Sequence, residues 1–159
     1  MEYPATWSID SAQDDFEITP ILLNARAIDI AKFARLYSNN GDWDGRQIVP
    51  HDWVVESTTR DPNDRRPWET FSQWQDSGEG YYKYFWWGIS EPGGNYSFIG
   101  IGTYGQFIFV SPKTKIVIVR TAATDGIDPL NWVQVFQYIA NHVSQSTADP
   151  DTQKPAPHG

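Results

Sequence analysis

The chain has 159 residues and no cysteine, with 40% hydrophobic and 20% charged residues and eight each of Trp, Tyr and Phe. That is enough for one domain with a real core, and so many aromatics argue against disorder outside the tail. Without cysteine there is no disulfide, zinc–thiolate site or Cys nucleophile, and a net charge of −8 argues against nucleic-acid binding and docking on anionic lipid.

The first residues lack a charged start followed by an apolar run, so no signal peptide is expected, and no apolar stretch is long enough to span a membrane. The compartment stays open. Residues 1–24 are mostly polar and read as irregular, with one short strand expected near Phe16 and Ile18. Residues 27–39 form a helix: Ala27, Ile30, Phe33, Ala34 and Tyr37 make an apolar stripe at helical spacing. Asp29 sits in the first turn, where the helix dipole favours an anion, and Asn39-Asn40-Gly41 is a stop signal. A tight turn follows at residues 42–46. Pro50 opens a second helix, to about Thr58, with Trp53 and Val54 on its buried side.

Residues 59–80 form a long polar loop, of a length that commonly lines a site. Its Trp68, Phe71 and Trp74 suggest that it packs down. Aromatic enrichment predicts one strand over residues 81–89, a turn at 91–95 and a strand over 96–101. Residues 106–110 and 115–121 then make a hairpin, joined by a turn containing Pro112. Phe107 and Phe109 oppose Ile108 and Val110, and Val117 and Val119 oppose Ile116 and Ile118. A hairpin apolar on both faces belongs to a sheet covered on both faces. The early helices are expected to be too short for the second face, which would leave part of the domain missing.

Asp128 caps the last helix, with Pro129 at its first position. Its expected apolar face is Trp132, Val133, Phe136, Ile139, Ala140 and Val143. Residues 144–159 read as a disordered tail. The order of two helices, about four antiparallel strands and a closing helix is α+β, as one domain over residues 1–143.

The residues offer little chemistry on their own. His51, His142 and His158 form no pattern, and no Gly-x-Ser-x-Gly elbow is present. Asp42-Trp-Asp44-Gly45 begins like a calcium loop but lacks the later ligands and the closing Glu, so a turn is the better account. Asn95-Tyr-Ser97 matches a glycosylation acceptor only by letters. Gly100 and Gly102 lie at the end of a strand, where glycine allows close approach to the backbone. Taken alone, they read as a bend between strands.

Four segments in order carry a resemblance. These are Ala25-Arg-Ala-Ile-Asp-Ile-Ala-Lys-Phe33, Asn40-Gly-Asp-Trp-Asp-Gly-Arg-Gln-Ile-Val-Pro50 with Trp53-Val54, Tyr82-Lys-Tyr-Phe-Trp-Trp-Gly88, and Gly102-Thr-Tyr-Gly-Gln106 with Val117-Ile-Val-Arg-Thr121. Together they resemble the penicillin-recognising serine hydrolases, in the branch of class C β-lactamases and 6-aminohexanoate-dimer hydrolases. The resemblance runs to about Val143 and implies the C-terminal part of the β-lactamase/transpeptidase-like fold.

It also implies a site. The family's third motif, Lys-Thr-Gly or a variant, falls on Gly100-Ile101-Gly102. The Thr103 backbone N–H is then one half of an oxyanion hole, and Gly102 leaves room for the acyl group. Gly100, Ile101 and Tyr104 border the substrate, with Ile101 and Tyr104 on the leaving-group side. Gly100 replaces the Lys or His of many relatives, so a group to bind a substrate carboxylate is absent. The substrate implied is a small ester or amide, with no cofactor and no metal.

The family's Ser-x-x-Lys is found nowhere in the chain, and Tyr37-Ser-Asn39 matches its Tyr-x-Asn motif only by letters. The resemblance therefore implies a C-terminal portion, inactive alone, whose partner is the missing N-terminal half or a separate chain carrying Ser-x-x-Lys. The rival expectation is a stand-alone aromatic-rich binding module, which requires exposed Trp and Tyr.

Overall fold

The computed structural model describes residues 2–11, 16, 23–63 and 80–148. Two short strands, β1 (Thr6–Trp7) and β2 (Leu23–Asn24), pair near the start, within the stretch expected to be irregular. Helix α1 (Ala27–Ser38) follows, then the small hairpin β3 (Asp42–Trp43) and β4 (Arg46–Gln47), and helix α2 (His51–Thr58). Of the expected strand near Phe16 and Ile18, the aromatic loop residues Trp68, Phe71 and Trp74, and His158, the structure describes Phe16 alone. All but Phe16 lie outside the described residues, and Phe16 itself is not in a strand.

The main sheet has five antiparallel strands in sequence order. They are β5 (Gly80–Lys83), β6 (Trp86–Glu91), β7 (Asn95–Gly102), β8 (Gln106–Ser111) and β9 (Ile116–Arg120). Helix α3 (Pro129–Ala148) closes the fold. This is the expected α+β class with flanking helices. The single strand expected over residues 81–89 is instead two strands. Tyr84 and Phe85 both take positive φ (46° and 69°), and two left-handed residues in succession turn a hairpin tightly. The aromatic run concealed that turn, because neither residue is one that usually signals it.

The sheet is covered on both faces, contrary to expectation. On one side Ile89, Ile99, Phe107 and Phe109 pack with Val133, Phe136 and Ala140 of α3. On the other, Trp86, Phe98 and Val110 pack with Ala34 and Tyr37 of α1 and Val54 of α2. Aromatic bulk makes the short helices sufficient: Tyr37 meets the Trp86 ring at 5.4 Å and the Phe98 ring at 6.4 Å. Tyr37 is thus a core residue, as its place in the apolar stripe implies. Trp53, by contrast, is exposed, as are Ala27, Ile139 and Val143. Helix α3 continues to Ala148, past the point where a tail was expected. The remaining tail, residues 149–159, is outside the described region.

Polar ends are anchored as helix and turn physics requires. Asp128 Oδ1 accepts from Leu130 N at 2.9 Å, the expected cap of α3. Lys115 Nζ donates to Ser38 O at 2.6 Å, placing a cation on the last carbonyls of α1. Asp44 and Gly45 (φ 52° and 86°) turn the β3–β4 hairpin, and Gly45 N donates to Asp42 Oδ1, which supports the turn reading of that segment. Strand β9 is at the edge of the sheet, with a neighbour on one side only among the described residues.

Tyr81 shows how closely the sheet is fitted. It lies opposite Gly88 across the β5–β6 ladder, and its hydroxyl donates to Thr58 O at 2.6 Å, tying α2 to the sheet. A Cβ on Gly88 would come within 2.0 Å of the Tyr81 ring. Gly88→Ala is expected to lower the unfolding free energy by about 1–3 kcal/mol, the usual cost of overpacking, as read from urea denaturation followed by tryptophan fluorescence. A midpoint equal to wild type would show that the ring moves aside freely.

Candidate functional site

Strand β7 carries Gly100, Ile101 and Gly102 to the tip of the β7–β8 hairpin, where Gly102 pairs with Gln106. Residues 103–105 make the turn, with Tyr104 and Gly105 both left-handed (φ 62° and 73°). Gly102, Thr103 and Tyr104 are exposed, and Gly105 is buried. The tip therefore displays a backbone segment to solvent while its base is fixed.

Strand alternation divides the candidates between the two faces. Gly100 lies on the α1 side: a Cβ there would approach Trp86 at 3.6 Å and Ile108 at 3.9 Å. Ile101 lies on the α3 side and packs against that core cluster. The structure thus brings Gly100, Gly102, Thr103 and Tyr104 to one hairpin end, with the Ile101 side chain turned into the core. Tyr104 is 61% exposed.

Two further residues shape the tip, and neither was singled out from the sequence. The Gln106 side-chain amide donates to Ala122 O and accepts from Ala122 N at 3.3 Å. Arg120, at the end of β9, donates to Gly105 O and to Thr124 O. Its guanidinium lies 4.4 Å from the centre of the Trp132 ring. A Gln directly after the turn glycine, and an Arg closing an otherwise apolar strand, were the available signals.

His51 and His142 are the histidines among the described residues. His51 stands beside Asp52 at 3.3 Å, and His142 stacks on Tyr138 with ring centroids 3.8 Å apart, both exposed. Tyr37-Ser-Asn39 lies at the end of α1. No group of three or more potential metal-ligating side chains occurs among the described residues, and no described helix is long and apolar enough to cross a membrane.

No family model matches the chain. It is 28% identical over 128 residues to the 6-aminohexanoate-dimer hydrolase of Paenarthrobacter ureafaciens, across 80% of this chain and 31% of that protein. A solved structure from Bacillus anthracis, assigned as a 6-aminohexanoate-dimer hydrolase, superposes with a TM-score of 0.70 at 26% identity. That match covers 89% of this chain and 34% of the other. These two likenesses support the β-lactamase-like family, with this chain matching a portion of it. Within that β-lactamase-like fold it spans about a third of the length of these relatives.

Among the described residues, Tyr81 and Asp29 are displaced from their ordinary pKa, and both lie in the scaffold rather than at the hairpin tip. Burial pushes the Tyr81 phenol up, so it remains a neutral donor. Asp29 is buried, and its carboxylate accepts from Glu2 N at 2.6 Å and Tyr3 N at 3.2 Å. Above all the Glu2 N–H, and then those of Tyr3 and the nearby Lys32 ammonium, hold its carboxyl below the usual range, against the opposing effect of burial.

A folded-state pKa below the unfolded value contributes stability that is complete above the unfolded pKa and fades as pH falls through the folded one. Asp29→Asn is therefore expected to lower the urea midpoint at pH 7, and the gap from wild type should close below the ordinary aspartate pKa of about 3.9. A gap that stays constant from pH 7 to pH 3 would remove the carboxylate from the account.

Proposed function

We propose that this chain forms the C-terminal portion of a serine hydrolase that cleaves a small ester or amide through an acyl-enzyme. The observation that carries this reading is the exposed segment Gly102-Thr103-Tyr104 at the end of β7 in a β-lactamase-like fold. The Thr103 N–H is the chain's contribution to the oxyanion hole. A fixed donor aimed at a developing oxyanion is worth about 2.7–4 kcal/mol of transition-state stabilisation. Gly102 keeps the approach open, and Tyr104 borders the leaving group. Gly100 supplies no cation for a substrate carboxylate, which favours substrates without one at that position.

The nucleophile and base, a Ser-x-x-Lys assisted by a tyrosine, lie on the partner portion, whether joined in one polypeptide or supplied as a second. In that site the lysine and tyrosine would remove the serine proton, and the serine oxygen would attack the carbonyl carbon. The carbonyl oxygen would take up negative charge against the Thr103 N–H until the bond from carbon to the leaving group breaks and that group departs with the proton taken from the serine. Water would then release the acyl group by the same route.

A second reading has one feature in its favour. Trp53 and Tyr84 are exposed with ring centroids 5.2 Å apart, beside Phe85 at 75% exposure. Such a patch suits a stand-alone module that binds carbohydrate or a protein partner.

The purified chain is expected to leave a fluorophosphonate probe and a fluorescent penicillin unreacted, as read by in-gel fluorescence and peptide mass spectrometry. A covalent adduct on any of its serines would overturn the assignment of the nucleophile to a partner. Saturable quenching of tryptophan fluorescence by a soluble oligosaccharide, lost in Trp53→Ala, would establish the second reading.

A further inference from the structure

We infer that Arg120 is a positioning residue that fixes the β7–β8 turn and with it the orientation of the Thr103 N–H. The inference rests on the acyl-transfer reading, since the turn matters to chemistry only if that N–H meets an oxyanion. Arg120 pairs with Phe107 across the β8–β9 ladder, so its side chain is on the α3 face, behind the turn and away from Gly100. From there one guanidinium nitrogen donates to Gly105 O and the other to Thr124 O. The turn and the segment after β9 are thus held by one planar group.

Three features make this a clamp rather than an isolated hydrogen bond. The Trp132 ring backs the guanidinium, and Trp132 Nε1 in turn donates to Asp125 O at 2.8 Å, so α3 holds the same segment. The Gln106 amide bonds to both backbone groups of Ala122, extending the contact beyond the end of β9. Gly105 has no side chain to keep Arg120 away: a Cβ there would come within 2.0 Å of the guanidinium and 3.1 Å of Asp125 Cα.

The left-handed Tyr104 is otherwise a costly conformation for a residue with a side chain. One arm of the rigid fork holds the turn at Gly105 O while the other is anchored on Thr124 O, whereas lysine offers one mobile point charge. An oxyanion donor must be set before the reaction begins, because reorganisation during the reaction forfeits its benefit. Arg120 supplies that preorganisation from outside the site.

The test uses the full chain labelled with nitrogen-15, comparing wild type with Arg120→Met and Arg120→Lys. Steady-state heteronuclear NOEs at Thr103, Tyr104 and Gly105 report local order. The Tyr104 HN–Hα coupling reports its φ, and amide exchange at Ile99 and Phe109 reports the core. In Arg120→Met the three turn residues are expected to lose NOE intensity and the Tyr104 coupling to shift, with core exchange changed less than threefold. Arg120→Lys is expected to restore part of the order, and it serves as the test if the methionine variant does not fold.

Unchanged turn dynamics in either variant would overturn the inference. So would acceleration of core and turn exchange by the same factor, which would make Arg120 a general stabiliser. None of these readouts requires turnover. Serine labelling of the purified chain would overturn the assignment of the nucleophile to a partner and leave the clamp standing, whereas unchanged dynamics would defeat the clamp alone.

Discussion

Pairing of β7 with β8, with Phe98 opposite Val110 and Ile101 opposite Phe107, is the constraint from which the rest of the structure follows. Side chains alternate across a strand, so a slip of one residue would exchange the two faces. Here the exchange would send Phe98 towards α3 and Phe107 towards α1, into spaces shaped for other residues. Both faces are filled, with Phe98, Phe107, Phe109 and Val110 all buried to about the last percent. The register is therefore specified twice, once by each helix layer. It also determines that Gly102, rather than a bulky neighbour, is the last residue of the strand at the exposed tip.

Polar contacts then secure what the core alone leaves loose. Asp29 gathers the N–H groups of Glu2 and Tyr3 onto the start of α1, while Lys115 joins the β8–β9 turn to its end. Helix α1 is thus tied at both termini to segments distant in sequence. The opposite face has a matching arrangement, in which Asp128 caps α3 and Trp132 bonds the segment before it. Buried donors and acceptors in such places matter because leaving one unpaired costs about 1–3 kcal/mol.

Much of this was legible in the residues. Apolar periodicity located α1 and α3, the Asp-Pro pair marked the start of α3, and the doubly apolar hairpin identified a sheet covered on both sides. The sequence reading underestimated how far two short helices reach when they carry tyrosine against tryptophan, and so it expected an open face. It also passed over the turn at Tyr84-Phe85, because aromatic residues there look like strand. Asp29 was legible only as a dipole partner in the first turn of α1; its burial beneath the backbone of Glu2 and Tyr3 is revealed by no local pattern. At the candidate site the glycines and Thr103 were named from a family resemblance, and Ile101 could not be assigned a face without the pairing register. Arg120 and Gln106 escaped notice because their partners, Gly105, Thr124 and Ala122, are backbone groups that any residue would offer.

Among the described residues β9 has a neighbour on one side only, and this edge position has a consequence for how the protein behaves in solution. Edge strands are commonly protected from unwanted pairing by lysine or arginine along their length. The cations at the ends of β9 are Lys115, just before it, and Arg120, its last residue, and both are drawn inward, one to Ser38 and the other to Gly105 and Thr124. What remains along the strand is Ile116, Val117, Ile118 and Val119, all half-buried. Protection from self-association then falls to long-range repulsion between molecules of net charge −8, a force that weakens as salt shortens its range and as acid neutralises carboxylates. Colloidal stability is in this way linked to the same two side chains that give the fold its order.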